Sequence, residues 1–209
     1  MSSFVKNNDS NSTNAGASSS GELKSVPSSE SKCPKYIKCL LDRSGSMSSG
    51  NMFQGLIKGV NTLLLEQKQV AEDSKVEINI EIYVFDSEIN LIRSGSIMDV
   101  KDISEDEVRP RGSTALNDAL ASILDNSKDE KDVLLFIFTD GQENASQKHR
   151  GESGRHYCKS LIELYSRQNN WTVLFGAANI DAYQTSSIYG IDANNAFNVA
   201  PDAPTMGVM

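Results

Sequence analysis

Histidine, cysteine and tryptophan are scarce in this 209-residue chain, at two, three and one copies, and aromatic residues make up only 7% of it. Two histidines, His149 and His156, cannot furnish an imidazole-rich zinc or copper centre. His156 and Cys158 lie two apart in a helical pattern and so do not face one another, which removes the obvious nucleophile and base pair. Cys33, Cys39 and Cys158 form an odd set without paired metal-ligand spacing, and Cys39 sits in an apolar run where it acts as a small hydrophobe. A disulfide framework is therefore not expected, which fits a reducing, cytoplasmic setting. There is no basic excess: 20 Lys and Arg face 28 Asp and Glu, a formal net charge of -8. A nucleic-acid backbone or an anionic membrane would need the reverse balance. No apolar run is long enough to span a bilayer or to form the core of a secretory signal.

What is present is enough apolar material, 38%, for one substantial core. Residues 1–34 read as a Ser/Asn-rich disordered tail, because their composition cannot repay the entropy of ordering. Residues 35–200 read as the domain and 201–209, with Pro201 and Pro204, as a C-terminal tail. Within the domain, the run Tyr36 to Leu41 precedes a helical pattern from Asn51 to Asp73, with Asn51 and Gln54 spaced as a capping box. Val76, Ile78, Ile80, Ile82 and Val84 alternate with polar residues, and Asp86-Ser87-Glu88 turns this strand into Ile89 to Ile92 as a hairpin. A helix over Thr114 to Asn126, an apolar strand Val133 to Phe138, a helix Glu152 to Arg167, a strand Trp171 to Ala177, a short helix Asp181 to Tyr189 and a weak strand Ala196 to Ala200 follow. The series predicts an α/β fold: three α-β-α layers around a doubly wound, mostly parallel sheet with one antiparallel edge hairpin strand.

Asp42, Ser44 and Ser46 stand directly after the first strand, and alternate residues of an extended segment point the same way. Thr114 opens the second long helix, and Asp140 ends the central apolar strand. In open parallel sheets ligands bind beyond the carboxyl ends of strands, where the winding reverses. Carboxylates and hydroxyls converging there are hard donors, suited to Mg²⁺, Mn²⁺ or Ca²⁺.

Asp42-x-Ser44-x-Ser46, Thr114 within Gly112-Ser-Thr-Ala-Leu116, and Thr139-Asp140-Gly141, in that order, resemble the metal-ion-dependent adhesion site of von Willebrand factor type A domains. The resemblance covers roughly residues 35–200 and is closest to intracellular microbial members, in part through Phe175-Gly-Ala-Ala-Asn179-Ile-Asp181. It implies that Ser44 and Ser46 bind the cation through their hydroxyls. Thr114 and Asp140 would bind directly or through water, and Asp42 would act through water while orienting its loop. It also implies an open coordination position for the Asp or Glu carboxylate of a partner protein. One departure is that the family leads one to expect a further helix after the last strand, where 201–209 has no helical pattern.

The expected function is thus a divalent-metal-dependent protein-protein interaction module rather than an enzyme. Two alternatives have different requirements. A receiver-like phosphoacceptor wants a Lys at the end of the last central strand, where Ala177-Ala178-Asn179 stands instead. A metal-dependent hydrolase wants a positioned base beside clustered carboxylates. Arg43, Arg109, Arg111, Lys148, His149 and Arg150 all fall in loops expected on the metal face, and together they predict a basic rim suited to an acidic partner.

Overall fold

A computed structural model of the chain describes residues 33–178 and 180–199. The stretch 1–32, Asn179 and residues 200–209 lie outside the described residues, and with them nearly all of the expected N-terminal tail and the whole C-terminal one.

Six strands form one sheet in the order β3-β2-β1-β4-β5-β6: β1 Tyr36–Asp42, β2 Asn79–Phe85, β3 Ile89–Ser96, β4 Val133–Thr139, β5 Thr172–Ala177 and β6 Ala196–Asn198. Every neighbour pair is parallel except β2 with β3, the hairpin closing the edge. Four helices connect them: α1 Met52–Ser74, α2 Leu116–Asn126, α3 Gly151–Gln168 and α4 Ala182–Ile188. Alternation along β1 divides the core into two layers. Ile37, Cys39 and Leu41 pack with Leu56, Val60 and Leu64 of α1, whereas Leu40 packs with Leu120 of α2 and Ile162 of α3 on the opposite side. The predicted three-layer α/β architecture is the one observed.

Several local expectations change. Asn51 is the N-cap of α1 but makes no side-chain capping bond, because its ψ of 24° is far from the extended value that aims a cap at the first turn. At its other end α1 runs to Ser74 and stops on Lys75 in the left-handed region at φ 54°. The chain needs residues 76–78 to turn back, so β2 starts at Asn79 although the alternation starts at Val76. Residues 97–108 form no helix or strand, yet Ile97, Val100, Ile103 and Val108 are buried against the α1 layer. That irregular segment is fastened by side chains. Asn61 exchanges two bonds with the backbone of Ile103, at 3.1 and 2.9 Å, and Arg93 grips Glu107 while donating to the Asp102 carbonyl. Lys38, inside the apolar run of β1, is almost fully buried but ion-paired with Glu81 and Glu130 at 2.5 and 3.0 Å. Such pairing is what makes a buried ammonium tolerable. Among the described residues no helix is long and apolar enough to cross a membrane.

Candidate functional site

The sheet order puts β1 between β2 and β4, so the winding reverses on either side of it. Leu41 is paired with Phe138, the last β1–β4 pair. Asp42 and the Thr139-Asp140-Gly141 turn therefore leave the sheet side by side, and the loops they begin must part above them.

Asp42 is fully buried and held at both oxygens. Oδ1 accepts the Ser44 N–H at 2.6 Å, and Oδ2 accepts the Thr139 hydroxyl at 2.5 Å. The Ser44 and Ser46 hydroxyls lie 3.0 Å apart, and Ser46 Oγ donates to Asp140 Oδ1 at 2.8 Å. Thus Asp42, Ser44, Ser46 and Asp140 form one connected array of oxygens. Thr114 belongs to the same place. A Cβ added to Gly141 would lie 3.0 Å from Thr114 Oγ1 and 3.5 Å from Ser46 Oγ, so both hydroxyls face the bare glycine. The N-cap of α2 is Ala115, not Thr114. Thr114 is instead anchored by its backbone: its N–H donates to Asn144 Oδ1 at 3.0 Å, and its carbonyl accepts the N–H groups of Asn144 and Ala145 at 2.9 and 3.1 Å. Its hydroxyl is left available.

The electrostatics of this array are unbalanced. Burial pushes the Asp42 carboxyl up to about 6 against the hydrogen bonds it accepts, and the nearby charge of Asp140 adds to the rise. Burial likewise raises the Asp140 carboxyl. Asp140 Oδ2 is buried and has no hydrogen-bond partner. A desolvated carboxylate oxygen without a partner costs on the order of 1–3 kcal/mol, and a hard cation among these oxygens would satisfy it and lower both acids. The donor set of two carboxylates and three hydroxyls fits Mg²⁺, Mn²⁺ or Ca²⁺. Among the described residues no group of three or more His, Cys, Asp or Glu side chains is placed to hold a metal.

The residues around the array include several to which the sequence assigned no role. Thr139 bonds Asp42, and its hydroxyl also accepts the Gly141 N–H at 3.2 Å, shaping the turn. Glu143 accepts the N–H groups of Asn117, Ala145 and Ser146 and the Ser146 hydroxyl. Asp118 accepts those of Gln147, Lys148 and His149. The loop after β4 is thus ordered by acidic side chains that accept backbone N–H groups.

The expected basic rim is largely engaged. Arg43 and Arg111 both donate to Asp86 Oδ2 at 2.8 Å, and Arg109 pairs with Asp106 at 2.7 Å. Arg150 contacts Gln147, and the His149 ring stacks on Tyr157 with centroids 4.7 Å apart. Cys158 is buried, and burial raises its thiol, like that of Cys39, to about 12. The native protein should accordingly react quickly with a thiol reagent only at the partly exposed Cys33. Rapid titration of more than one thiol per folded chain would contradict this burial.

No protein-family model matches the sequence, and no curated protein is recognisably similar to it. Solved structures are similar in shape. The pilus adhesin SpaC from Lactobacillus rhamnosus GG superposes with a TM-score of 0.56 at 13% identity, over 80% of this chain and 29% of that one. Proximal thread matrix protein 1 from the mussel byssus gives 0.52 at 17% identity, over 78% and 40%. A von Willebrand factor type A protein from Catenulispora acidiphila gives 0.50 at 12% identity, over 70% and 33%. The chain therefore spans about a third of the length of the structures it resembles. Likeness at such low identity speaks to architecture alone, and the architecture of this chain is that of the von Willebrand factor type A domain.

Proposed function

We propose that the domain is a divalent-cation-dependent protein-interaction module in which Asp42, Ser44, Ser46, Thr114 and Asp140 hold Mg²⁺, Mn²⁺ or Ca²⁺. The observation that carries this reading is the partnerless buried oxygen of Asp140 at the end of a continuous array of hydroxyl and carboxylate oxygens. The cation, when bound, supplies a Lewis-acidic position that an Asp or Glu of a partner protein can occupy. The chain's own residues set up that position. Hydroxyl ligands neutralise none of the cation's charge and leave it electrophilic, and the carboxylates, acting directly or through water, hold it without closing the site. Asp42, tied at both oxygens, orients the loop that presents Ser44 and Ser46. Ser46 is exposed and marks the side from which a partner would approach. SpaC, one of the structures of this shape, is a pilus adhesin.

The module performs no chemistry of its own in this reading. The Asp42 carboxylate already accepts from Ser44 and Thr139, and His149 is stacked on Tyr157.

The test is thermal or chemical unfolding in chelator, Mg²⁺, Mn²⁺ and Ca²⁺. At a free cation concentration about 100 times its Kd, mass action raises native stability by about 2.7 kcal/mol. The effective cation should give this rise in the parent and none in Asp42→Ala, and an acidic peptide should bind only in its presence. Correctly folded parent protein that gains no stability from any of the three cations would sink the proposal.

A further inference from the structure

Asp86, the residue after β2, sits beside the cation array without belonging to it. One of its oxygens, Oδ2, accepts from Arg43 Nε and from Arg111 Nε, both at 2.8 Å, while Oδ1 accepts the Glu88 N–H at 3.0 Å. Arg43 follows Asp42 in the loop that bears Ser44 and Ser46. Arg111 begins a short strap, residues 111–115, that bears Thr114. The strap crosses the ends of two strands. Its Arg111 N–H donates to the Arg43 carbonyl at 2.7 Å, and its Gly112 carbonyl accepts the Gly45 N–H at 3.1 Å. Its Ala115 N–H donates to the Asp86 carbonyl at 2.8 Å, and its Ser113 N–H to Ser87 Oγ at 3.3 Å. Gly112, at φ +67°, runs so close over Asp86 that a Cβ would lie 3.2 Å from the Asp86 Cβ.

We infer that Asp86 is a positioning residue for the cation site, whose carboxylate joins Arg43 and Arg111 and so fixes the strap bearing Thr114 against the loop bearing Ser44 and Ser46. This inference rests on the function proposed above. The physical grounds are charge and economy of contact. Two guanidiniums converging on one carboxylate oxygen repel each other unless the carboxylate is charged and in place, and charge-assisted bonds of this length are the strong ones. Burial would raise the Asp86 carboxyl, but the bonds from Arg111, the Glu88 N–H and Arg43 hold it below the usual carboxylate range. Arg43 has a further buried nitrogen, Nη2, without a partner, so it has little to hold it besides Asp86. Thr114 is already fastened on its other side by Asn144, and the Asp86 clamp is its counterpart on the β2 side.

The experiment pairs Asp86→Asn with Thr114→Ala. Asn keeps the shape and the backbone bonds but loses the charge that holds both arginines. Without cation, exchange of the Arg111 and Gly45 amides, measured by hydrogen exchange, should quicken by about tenfold while β4 amides are unaffected. Mn²⁺ affinity, measured by calorimetry, should fall by about tenfold in Asp86→Asn, and Thr114→Ala should then cost almost nothing further, a coupling expected of residues acting as one unit. Arg111→Gln, at an exposed position, should reproduce both effects in weaker form. Unchanged exchange, or the same affinity loss from Asp86→Asn with and without Thr114, would overturn the inference, the second result marking a simple change in local charge. No Mn²⁺ uptake by the folded parent overturns the cation reading and this inference with it; uptake by the parent with additive losses overturns this inference alone.

Discussion

Gly141→Ala should abolish cation-dependent stabilisation while leaving the cation-free protein folded. The added methyl would lie 3.0 Å from Thr114 Oγ1 and 3.5 Å from Ser46 Oγ, in the space where the proposed ligands face one another. Neither side can easily give way. Thr114 is held through both its backbone groups by Asn144 and Ala145, and the Gly141 N–H is held by the Thr139 hydroxyl. Gly141 does not use a positive φ, so alanine brings no backbone strain. The cost in the absence of cation should stay at about 1 kcal/mol, as for a small overpacking. The loss in its presence should be the whole mass-action term, about 2.7 kcal/mol at 100 times the parent Kd. Unfolding curves with and without Mg²⁺ or Mn²⁺ measure both. If the variant keeps the parent's cation response, the hydroxyls facing Gly141 are not where the cation sits.

The second large effect is a gain. Asp42→Asn should make the cation-free protein more stable than the parent at neutral pH, while removing its response to cation. Burial lifts the Asp42 carboxyl from its ordinary 3.8 to about 6. Between those values the native state binds more protons than the unfolded state, so this group's contribution falls as pH rises. It is fully favourable below about pH 4 and lost above about pH 6, and the difference is roughly 3 kcal/mol at about 1.4 kcal/mol per tenfold change in proton affinity. Asparagine carries no charge to desolvate and keeps the shape. The Thr139 hydroxyl can turn to accept from its amide. Asp86, Asp118, Glu81 and Glu107 are all held below their usual range. Those four contribute stability above pH 4 that is lost as pH falls, which opposes the Asp42 trend in the parent. Only the difference between parent and Asp42→Asn isolates it. Denaturant unfolding in chelator from pH 4 to 8 should show that difference near zero at pH 4 and growing toward neutrality. A flat difference would mean the Asp42 carboxylate is not desolvated at all.

Both predictions depend on residues that the sequence exposed plainly. The strict alternation of Ile80, Ile82 and Val84 and the unbroken apolar run Val133 to Phe138 specify one half-covered and one fully covered strand, and both are observed as such. The positions of Asp42, Ser44, Ser46, Thr114 and Asp140 at the ends of elements were legible because side-chain direction in a strand has a period of two. Lys38 was not legible as a buried ion, since nothing in an apolar run announces that Glu81, on the neighbouring strand, and Glu130, in the loop before β4, will meet it. The capping box at Asn51 failed because spacing does not fix backbone angles: its ψ of 24° is not the extended value a capping side chain needs.

By itself, then, the sequence determined the layers, the strand and helix order, and which polar residues end the strands, because periodicity encodes the face a side chain takes. Only the tertiary structure decided which distant groups meet. Ser46 reaches Asp140 across 94 residues, Thr139 reaches Asp42 across 97, and Asp86 gathers Arg43 and Arg111 from two different loops. Such meetings depend on register and loop path, which are set by the packing of the whole sheet and leave no repeating signature along the chain.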